Sequence, residues 1–211
     1  MNVNQAYNIW AEQYDTNENK TRDLEASALR TVLDNLHFDS CLELGCGTGK
    51  NTEWILTKAN KILAVDFSDE MLAKANSKIQ SNKVEFIQAD INNEWNFINK
   101  KQFGLVIFSL VLEHLQNLDN VFAKLKNVVK QGGYVYIGEL HPYKQYNGTK
   151  ARFETENGIQ IVTCFNHNIS DFTTTAKKYG FEIIEVLEFF DDNNRANIPR
   201  ILTLLFSNTT K

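Results

Sequence analysis

The chain has 211 residues, of which 43% are hydrophobic and 23% are charged, and its formal net charge at pH 7 is −4. This length suits one domain with a single core, and this composition is typical of folded globular proteins and argues against extensive disorder. An acidic chain without a run of lysine or arginine argues against the wrapping of nucleic acid. A small or carrier-bound molecule is therefore favoured as the binding partner.

The three cysteines, Cys41, Cys46 and Cys164, are too few and too irregularly spaced for a disulfide framework or a zinc site. No other metal-ligand set is visible, so no metal is expected. The N-terminal residues do not have the pattern of a secretory signal, and no apolar run approaches the roughly 18 residues that span a membrane. We therefore expect a cytoplasmic protein, a monomer or a homodimer, that does not bind a membrane.

The N-terminal region predicts two helices. Tyr7, Trp10 and Tyr14 are spaced by three and four residues and give a short helix within residues 2–14 an aromatic face. After a polar loop, apolar residues recur at helical spacing, which predicts a second helix over residues 21–37.

Residues 39–140 alternate between apolar runs and helical patterns. Strands are predicted over 41–44, 61–67, 84–90, 103–110 and 134–140, and helices over 50–58, from Ser68 onward, and over 117–130, ending at Gly132-Gly133. The run 103–110 is apolar almost throughout, as expected of a strand that is buried on both faces. This alternation predicts a Rossmann-like, doubly wound α/β fold with helices on both faces of a parallel sheet.

The pattern changes after residue 141. Residues 141–150 predict a loop, and Glu156-Asn157-Gly158 predicts the turn of a hairpin. Ser170 is predicted to cap a helix that ends at Gly180. Two final strands are predicted over 181–190 and 200–206.

The first predicted strand ends in a glycine-rich turn, Glu43-Leu44-Gly45-Cys46-Gly47-Thr48-Gly49, which opens a helix. Glycines there permit a tight turn and close approach of a ligand, and the start of the helix offers free N–H groups. A dinucleotide fingerprint needs its third glycine where Lys50 stands, and the phosphate-loop pattern needs a hydroxyl where Asn51 stands. Glu43 would repel a pyrophosphate but suits a ligand with a positive charge.

Two carboxylates end the next two predicted strands. Asp66 is placed to accept hydrogen bonds from ribose hydroxyls, a role that nicotinamide sites share, so it indicates a nucleoside without identifying it. Its alternative role, capping of the next helix, suits Ser68 better. Asp90 is placed to accept an adenine amino hydrogen, and a turn-forming role is its alternative.

In this order, the motifs resemble those of class I S-adenosylmethionine-dependent methyltransferases. The resemblance covers residues 35–140 and is carried by ELGCGTGKNT, AVDFSDEMLAKA, FIQADI, FGLVIFSLVLEHL and GGYVYIGELHPY. It is strongest with the small-molecule branch, which includes enzymes similar to the ubiquinone/menaquinone and malonyl-carrier methyltransferases. The segment after the fourth predicted strand lacks the motif of enzymes that methylate exocyclic DNA amines.

The resemblance implies a seven-stranded sheet whose last strand is antiparallel and inserted between two others. It implies S-adenosylmethionine as cofactor and S-adenosylhomocysteine as its product. The cofactor-binding residues that it implies are Tyr14, Glu43, Gly45, Cys46, Gly47, Gly49, Asp66, Phe67, Met71, Asp90, Ile91, Ser109 and Leu110. The expected single domain divides into a helical lid (1–37), a cofactor-binding core (38–141), a small insert (142–170) and a C-terminal helix with strands (171–211).

Methyl transfer from a sulfonium needs alignment and exclusion of water, and a general base is optional. His141 follows the fifth predicted strand, at the edge where ligands bind in such sheets, and is the first candidate for a substrate contact or base. His114 is the second candidate, with fixing of its turn as the alternative role. His167, beside the hairpin, is a further candidate, and Glu139 is expected to orient a neighbour.

The predicted function is methyl transfer to an O, N or C atom of a small or carrier-bound substrate. Two alternatives stay open: a methyltransferase-like protein that binds the cofactor without catalysis, and a nicotinamide-dependent oxidoreductase. The Gly45-x-Gly47-x-Gly49 spacing and Glu43 argue against the oxidoreductase. The substrate is not predicted, because the segments 1–20 and 142–170, which would form its site, have the least resemblance.

Overall fold

The computed structural model describes residues 3–155 and 158–209. The helices in these residues are α1 (Val3–Trp10), α2 (Lys20–Leu33), α3 (Lys50–Ile55), α4 (Asp69–Lys78), α5 (Leu118–Val128), α6 (Pro142–Tyr146) and α7 (Ile169–Lys178). The strands are β1 (Ser40–Leu44), β2 (Lys61–Asp66), β3 (Val84–Gln88), β4 (Phe103–Ser109), β5 (Val129–Leu140), β6 (Arg152–Thr155), β7 (Gly158–Ile161), β8 (Phe181–Phe189) and β9 (Ile201–Asn208).

Seven strands form one sheet in the order β3-β2-β1-β4-β5-β9-β8. Strands β1 to β5 run parallel, whereas β9 runs antiparallel to both of its neighbours, β5 and β8. The fold prediction is confirmed: the last strand is antiparallel and lies between two others in a doubly wound α/β sheet. Strands β6 and β7 form a separate antiparallel hairpin.

Both faces of the sheet are covered, which explains why its central strands are apolar almost throughout. All five residues of β1 are buried, and their side chains alternate between two cores because successive residues of a strand point to opposite faces. One core combines α5 and α7 with Leu42, Leu44, Val106 and Phe108. The other core combines α2 and α3 with Cys41, Ile62, Ala64, Leu105 and Ile107.

The predicted loop over residues 141–150 contains the short helix α6. His141 caps this helix, since its Nδ1 accepts a hydrogen bond from the Tyr143 N–H at 3.2 Å. Pro142 occupies the first helical turn, where its missing N–H is harmless. The loop prediction was wrong here because a histidine can cap a helix that proline starts.

Several other boundaries differ from the prediction, for example where α3 ends at Ile55 and β3 at Gln88. Helix α7 is capped by Asn168 and not by Ser170, and the Asn168 N–H donates to the Asp171 carboxylate at 2.7 Å. Strand β5 begins before the two glycines at 132–133, at the point where its pairing with β4 shifts register. Helix α2 ends at Leu33.

The predicted hairpin turn includes Glu156 and Asn157, which lie outside the described residues. The two strands that flank these residues pair antiparallel, from Arg152 with Ile161 to Thr155 with Gly158. None of the helices in the described ranges is long and apolar enough to cross a membrane.

Candidate functional site

A cavity opens at the carboxyl ends of β1, β2 and β4, and α1 forms one of its walls. The predicted site residues that line it are Tyr14, Gly45, Gly47, Asp66, Phe67, Met71, Asp90, Ile91, Ser109, Leu110 and His114. An inner recess shares Tyr14, Gly45, Gly47, Ser109 and Leu110 with the cavity and adds Glu43 and Cys46. Within the described residues, neither lining includes Gly49 or His141. The structure therefore brings together twelve of the thirteen predicted cofactor-binding residues and one of the two first histidine candidates, His114.

The glycine turn lies tightly against its neighbours. The Gly45 N–H donates to the Val65 carbonyl at 2.7 Å, and a Cβ at Gly45 would collide with Val111. Gly45, Gly47 and Gly49 have φ values of 80°, 53° and 82°, a region that favours glycine. A Cβ at Gly47 would meet nothing within 4 Å, so this part of the turn faces open space.

Asp66 holds the glycine turn from the end of β2. Its Oδ2 accepts from the Gly47 N–H at 2.7 Å, and its Oδ1 accepts from the Ser68 N–H at 2.9 Å. Burial raises the pKa of Asp66, and these backbone N–H groups oppose that shift. Each carboxylate oxygen keeps a free lone pair, so the side chain can accept further hydrogen bonds from a diol. The capping role belongs to Ser68, whose Oγ accepts from the Met71 N–H at 3.1 Å.

The wall beyond Asp66 is mainly apolar. Met71 is fully buried there, whereas Phe67 is 40% exposed at the mouth of the cavity. Asp90 lines the cavity beside Ile91, and its Oδ1 accepts from the Asn92 N–H at 2.9 Å. Asp90 thus makes the turn interaction that was its alternative role, and it also reaches the cavity.

The segment after β4 is held in an unusual conformation. Leu110 has a φ of 56°, which L residues rarely adopt and which is often found at functional sites. The Glu139 carboxylate accepts from the N–H groups of Val111, Leu112 and Glu113 at 2.9, 2.7 and 3.4 Å. Burial, and then Glu113, raises the pKa of Glu139 to about 8. Through these contacts, Glu139 fixes the backbone of the segment that follows β4, in line with the expected orienting role.

His114 lines the cavity together with Tyr7, and both of its ring nitrogens have hydrogen-bond partners. Its Nδ1 lies 2.9 Å from the Thr163 carbonyl oxygen, and its Nε2 lies 2.9 Å from the Tyr7 hydroxyl. Since a carbonyl oxygen can only accept, Nδ1 carries the proton and Nε2 accepts from Tyr7. Burial raises the pKa of Tyr7 well above its ordinary value, so the hydroxyl keeps its proton. The two residues form a proton-accepting pair at the cavity surface.

His141 uses both ring nitrogens away from the cavity. It is fully buried, its Nε2 lies 3.0 Å from Glu188, and its Nδ1 caps α6. Burial lowers the pKa of His141, and Glu188 opposes that shift. A substrate contact by His141 stays a prediction, and its geometry is that of a residue that holds α6 to β8. His167 also lies outside the cavity lining, with Nε2 at 2.7 Å from the Leu115 carbonyl.

Helix α1 is tied to the carboxyl end of β2 by side chains that the sequence analysis did not single out. The Asn4 amide donates to the Phe67 carbonyl at 2.7 Å, and Asn8 accepts from the Ser68 hydroxyl. Asn4 and Tyr7 line the cavity, whereas Asn8 does not. The helix therefore closes one side of the cavity through contacts on its inner face.

Sequence reasoning also missed Glu25, a buried carboxyl that lines the inner recess. One signal was present: Glu25 precedes Leu29 by four residues, so it lies on the apolar face of α2. Gly138, inside the apolar strand β5, was a second signal, because a glycine inside a strand often marks close approach by another group.

Comparison with known proteins agrees with this geometry. A family model described as "Methyltransferase domain" matches residues 42–137. An uncharacterized methyltransferase of Emericella nidulans is 24% identical, with 85% of this chain and 76% of that protein aligned. Malonyl-[acyl-carrier protein] O-methyltransferase 2 of Ilyobacter polytropus is 28% identical, with 76% of this chain and 59% of that protein aligned. The structure of an S-adenosylmethionine dependent methyltransferase from Mesorhizobium loti has the same fold, with a TM-score of 0.72, 20% identity, and 87% and 97% of the two chains covered.

Proposed function

We propose that this chain is a class I S-adenosylmethionine-dependent methyltransferase and that it methylates an O, N or C atom of a small molecule bound beside Tyr7 and His114. One observation carries the proposal. A single cavity joins a nucleoside-binding edge, formed by Asp66 and the glycine turn, to a proton-accepting pair. Methyl transfer is an in-line displacement, so donor and acceptor must meet in one such space.

The cavity residues fit the parts of the cofactor. Asp66 keeps lone pairs for the ribose diol, and the open side of Gly47 leaves room for the methionine moiety. The adenine would be held by the neighbouring wall: Phe67, Met71, Asp90 and Ile91. In the inner recess, the side-chain oxygen of Asn51 is buried and has no hydrogen-bond partner, which fits a donor group on a ligand.

When bound, S-adenosylmethionine supplies a methyl group on a positively charged sulfur, which keeps the electron pair of the broken C–S bond. The residues of this chain align the acceptor, exclude water and receive a proton. The Tyr7 oxygen accepts the acceptor's proton while the Tyr7 hydroxyl passes its own proton to His114 Nε2, the nitrogen that already accepts a hydrogen bond from Tyr7. An acceptor atom without a proton to lose would need only alignment.

The closure of the cavity supports a small acceptor. Helix α1 covers one side and is fixed there by Asn4 and Asn8, so a folded macromolecule would meet this helix before it met the cavity. The proposal also includes an acceptor group that is attached to a carrier through a narrow, flexible arm, because such an arm can enter the cavity. We also retain the proposed division into a lid (1–37), core (38–141), insert (142–170) and C-terminal segment (171–211). The three free cysteines are consistent with a cytoplasmic location.

Calorimetry with S-adenosylmethionine, S-adenosylhomocysteine and NADH tests the cofactor assignment. We expect both adenosyl ligands to bind and NADH not to bind. Release of S-adenosylhomocysteine is then measured with a panel of small hydroxyl, amine and activated-carbon acceptors. Binding without release across the panel would contradict the proposed activity in favour of a non-catalytic cofactor-binding protein, and binding of NADH alone would favour an oxidoreductase.

A further inference from the structure

The inner recess ends at a carboxyl group that lies outside the predicted cofactor motifs. Glu25, in the middle of α2, is 1% exposed and lines the recess with Gly45, Gly47 and Asn51. The recess adjoins the main cavity, because both are lined by the glycine turn and by Ser109. A ligand group bound beyond the glycine turn would therefore lie beside Glu25.

Donors from three different elements surround this carboxyl. The Ser109 hydroxyl and the Asn51 amide donate to Oε2, the latter at 3.4 Å, and the Tyr136 hydroxyl donates to Oε1 at 3.0 Å. All three contacts stabilise the ionised form. A Cβ on Gly138 would collide with Oε1, so glycine in β5 leaves the space that the carboxyl occupies. The surroundings are thus built for a carboxylate.

No cation of the described chain forms an ion pair with Glu25, since none of its lysine, arginine or histidine side chains lies within 4.0 Å of the carboxyl. Arg22 and Lys50 line the same recess, but both pair with Asp23. Burial raises the pKa of Glu25 to about 7, although its three donors and, more weakly, the charge of Lys50 lower it. A buried carboxylate without a cation is costly, and a cationic ligand group would relieve that cost.

A second atom in the recess lacks a partner. Asn51 donates through its amide nitrogen to Ser109 and Glu25, but its side-chain oxygen is buried without a hydrogen bond. Buried acceptors are nearly always satisfied, so this oxygen points to a donor on a ligand. An ammonium group has three donors and no acceptor, and it can satisfy this oxygen and the carboxylate together.

We propose that Glu25, together with the side-chain oxygen of Asn51, binds the α-ammonium group of the methionine moiety of the methyl donor. The inference rests on the proposed function and assigns a binding residue outside the glycine turn. Glu43 lies in the same recess, but the described contacts give its carboxyl one donor, the Thr52 hydroxyl at 2.5 Å. Burial, and then the proximity of Glu25, raises the pKa of Glu43 to about 8. Of the two adjacent carboxyls, Glu25 has the contacts that hold the charge.

The test compares two ligands by calorimetry: S-adenosylhomocysteine and its deaminated analogue, in which hydrogen replaces the α-amino group. The proteins are the wild type, Glu25→Gln and the matched variant Glu43→Gln. We expect the wild type to bind S-adenosylhomocysteine at least about tenfold more tightly than the analogue. Glu25→Gln should lose most of this preference through weaker binding of S-adenosylhomocysteine, with affinity for the analogue unchanged. Glu43→Gln should keep most of the preference.

The proposal is overturned if Glu25→Gln keeps the wild-type preference for the amine, or if Glu43→Gln alone abolishes it. If Glu25→Gln fails to fold, Asn51→Ala is tested in its place, because it removes the unpaired side-chain oxygen. We expect this variant to have a reduced preference for S-adenosylhomocysteine over the deaminated analogue. A wild-type preference in Asn51→Ala overturns the proposal. A wild type that binds both ligands equally contradicts this inference alone. A wild type that binds neither contradicts the proposed function.

Discussion

Carboxyl groups at the ligand-binding edge of the sheet differ in how they are held. Glu25 and Glu139 each accept hydrogen bonds from three donors and are almost fully buried. Asp66 is half-buried, accepts two backbone N–H groups and keeps lone pairs toward the cavity. A carboxylate has about four lone-pair positions, so Asp66 can accept from both hydroxyls of a diol, whereas Glu25, with three protein donors, has one position left for a donor on a ligand.

Replacement of Asp66 by alanine is expected to weaken S-adenosylhomocysteine binding by about 1–3 kcal/mol, because charge-assisted hydrogen bonds to the ribose are lost. Calorimetry measures the change. Asp69→Ala is the control, since Asp69 is an exposed carboxylate at the start of α4 and does not line the cavity. Equal affinities of wild type and Asp66→Ala would contradict the ribose role.

Replacement of His114 by glutamine is expected to lower turnover by about 10²- to 10⁴-fold for an acceptor that must lose a proton. Affinity for S-adenosylhomocysteine should stay near the wild-type value, because the proposed role concerns the acceptor. His167→Gln is the control, since its ring contacts the Leu115 carbonyl outside the cavity lining. Turnover is measured by a steady-state assay of S-adenosylhomocysteine release. A wild-type rate in His114→Gln would contradict the proposed role of His114 in proton transfer.

At the scale of elements, the strands of the sheet were predictable, because burial on both faces demands apolar runs such as 103–110. Helix α6 was not predictable from periodicity, since it depends on one histidine cap and one proline. The burial of Glu25 depends on Tyr136, which is 111 residues away in sequence, and on the space at Gly138. The local sequence pattern predicts which face of a helix is apolar, but it does not predict which strand will pack against that face.

The side chains that attach helix α1 to the carboxyl end of β2 should affect the affinity for the cofactor. Asn8→Ala removes the contact with Ser68 and the hydrogen bond to the Asn4 side chain, while Asn8 itself does not line the cavity. We expect a rise of about 2- to 10-fold in the Kd for S-adenosylhomocysteine, mainly through faster dissociation, because one hydrogen bond that closes the cavity is lost. Stopped-flow fluorescence measures the dissociation rate. Asn76→Ala, at an exposed position of α4, is the control, and equal rates in both variants would argue against closure by α1.

The site as a whole is assembled from distant parts of the chain. Tyr7 meets His114 across 107 residues, and Ser109 meets Glu25 across 84. Only the folded chain brings these groups together, so a ligand that binds them stabilises the folded state. The same assembly buries the carboxyl groups of Glu25, Glu43 and Glu139, and their ionisation couples the stability of the whole molecule to pH.

We therefore expect the unliganded protein to lose stability as pH rises from about 5 to about 8. Glu25 has a folded-state pKa of about 7, and Glu43 and Glu139 have values of about 8, all raised by burial above the ordinary 4.5. Between these values the folded state binds more protons than the unfolded state, so the free energy of unfolding falls with pH, by at most about 1.4 kcal/mol per pH unit for each group.

Urea unfolding at several pH values measures this slope. Glu25→Gln should have a shallower slope between about pH 5 and pH 7, because one of the three proton-linked groups is gone, whereas the exposed control Glu182→Gln should keep the wild-type slope. Saturating S-adenosylhomocysteine should flatten the wild-type slope, since an ammonium beside Glu25 favours its ionised form and lowers its pKa. A wild-type free energy of unfolding that rises through this window would show that these carboxyls are already ionised in the folded protein.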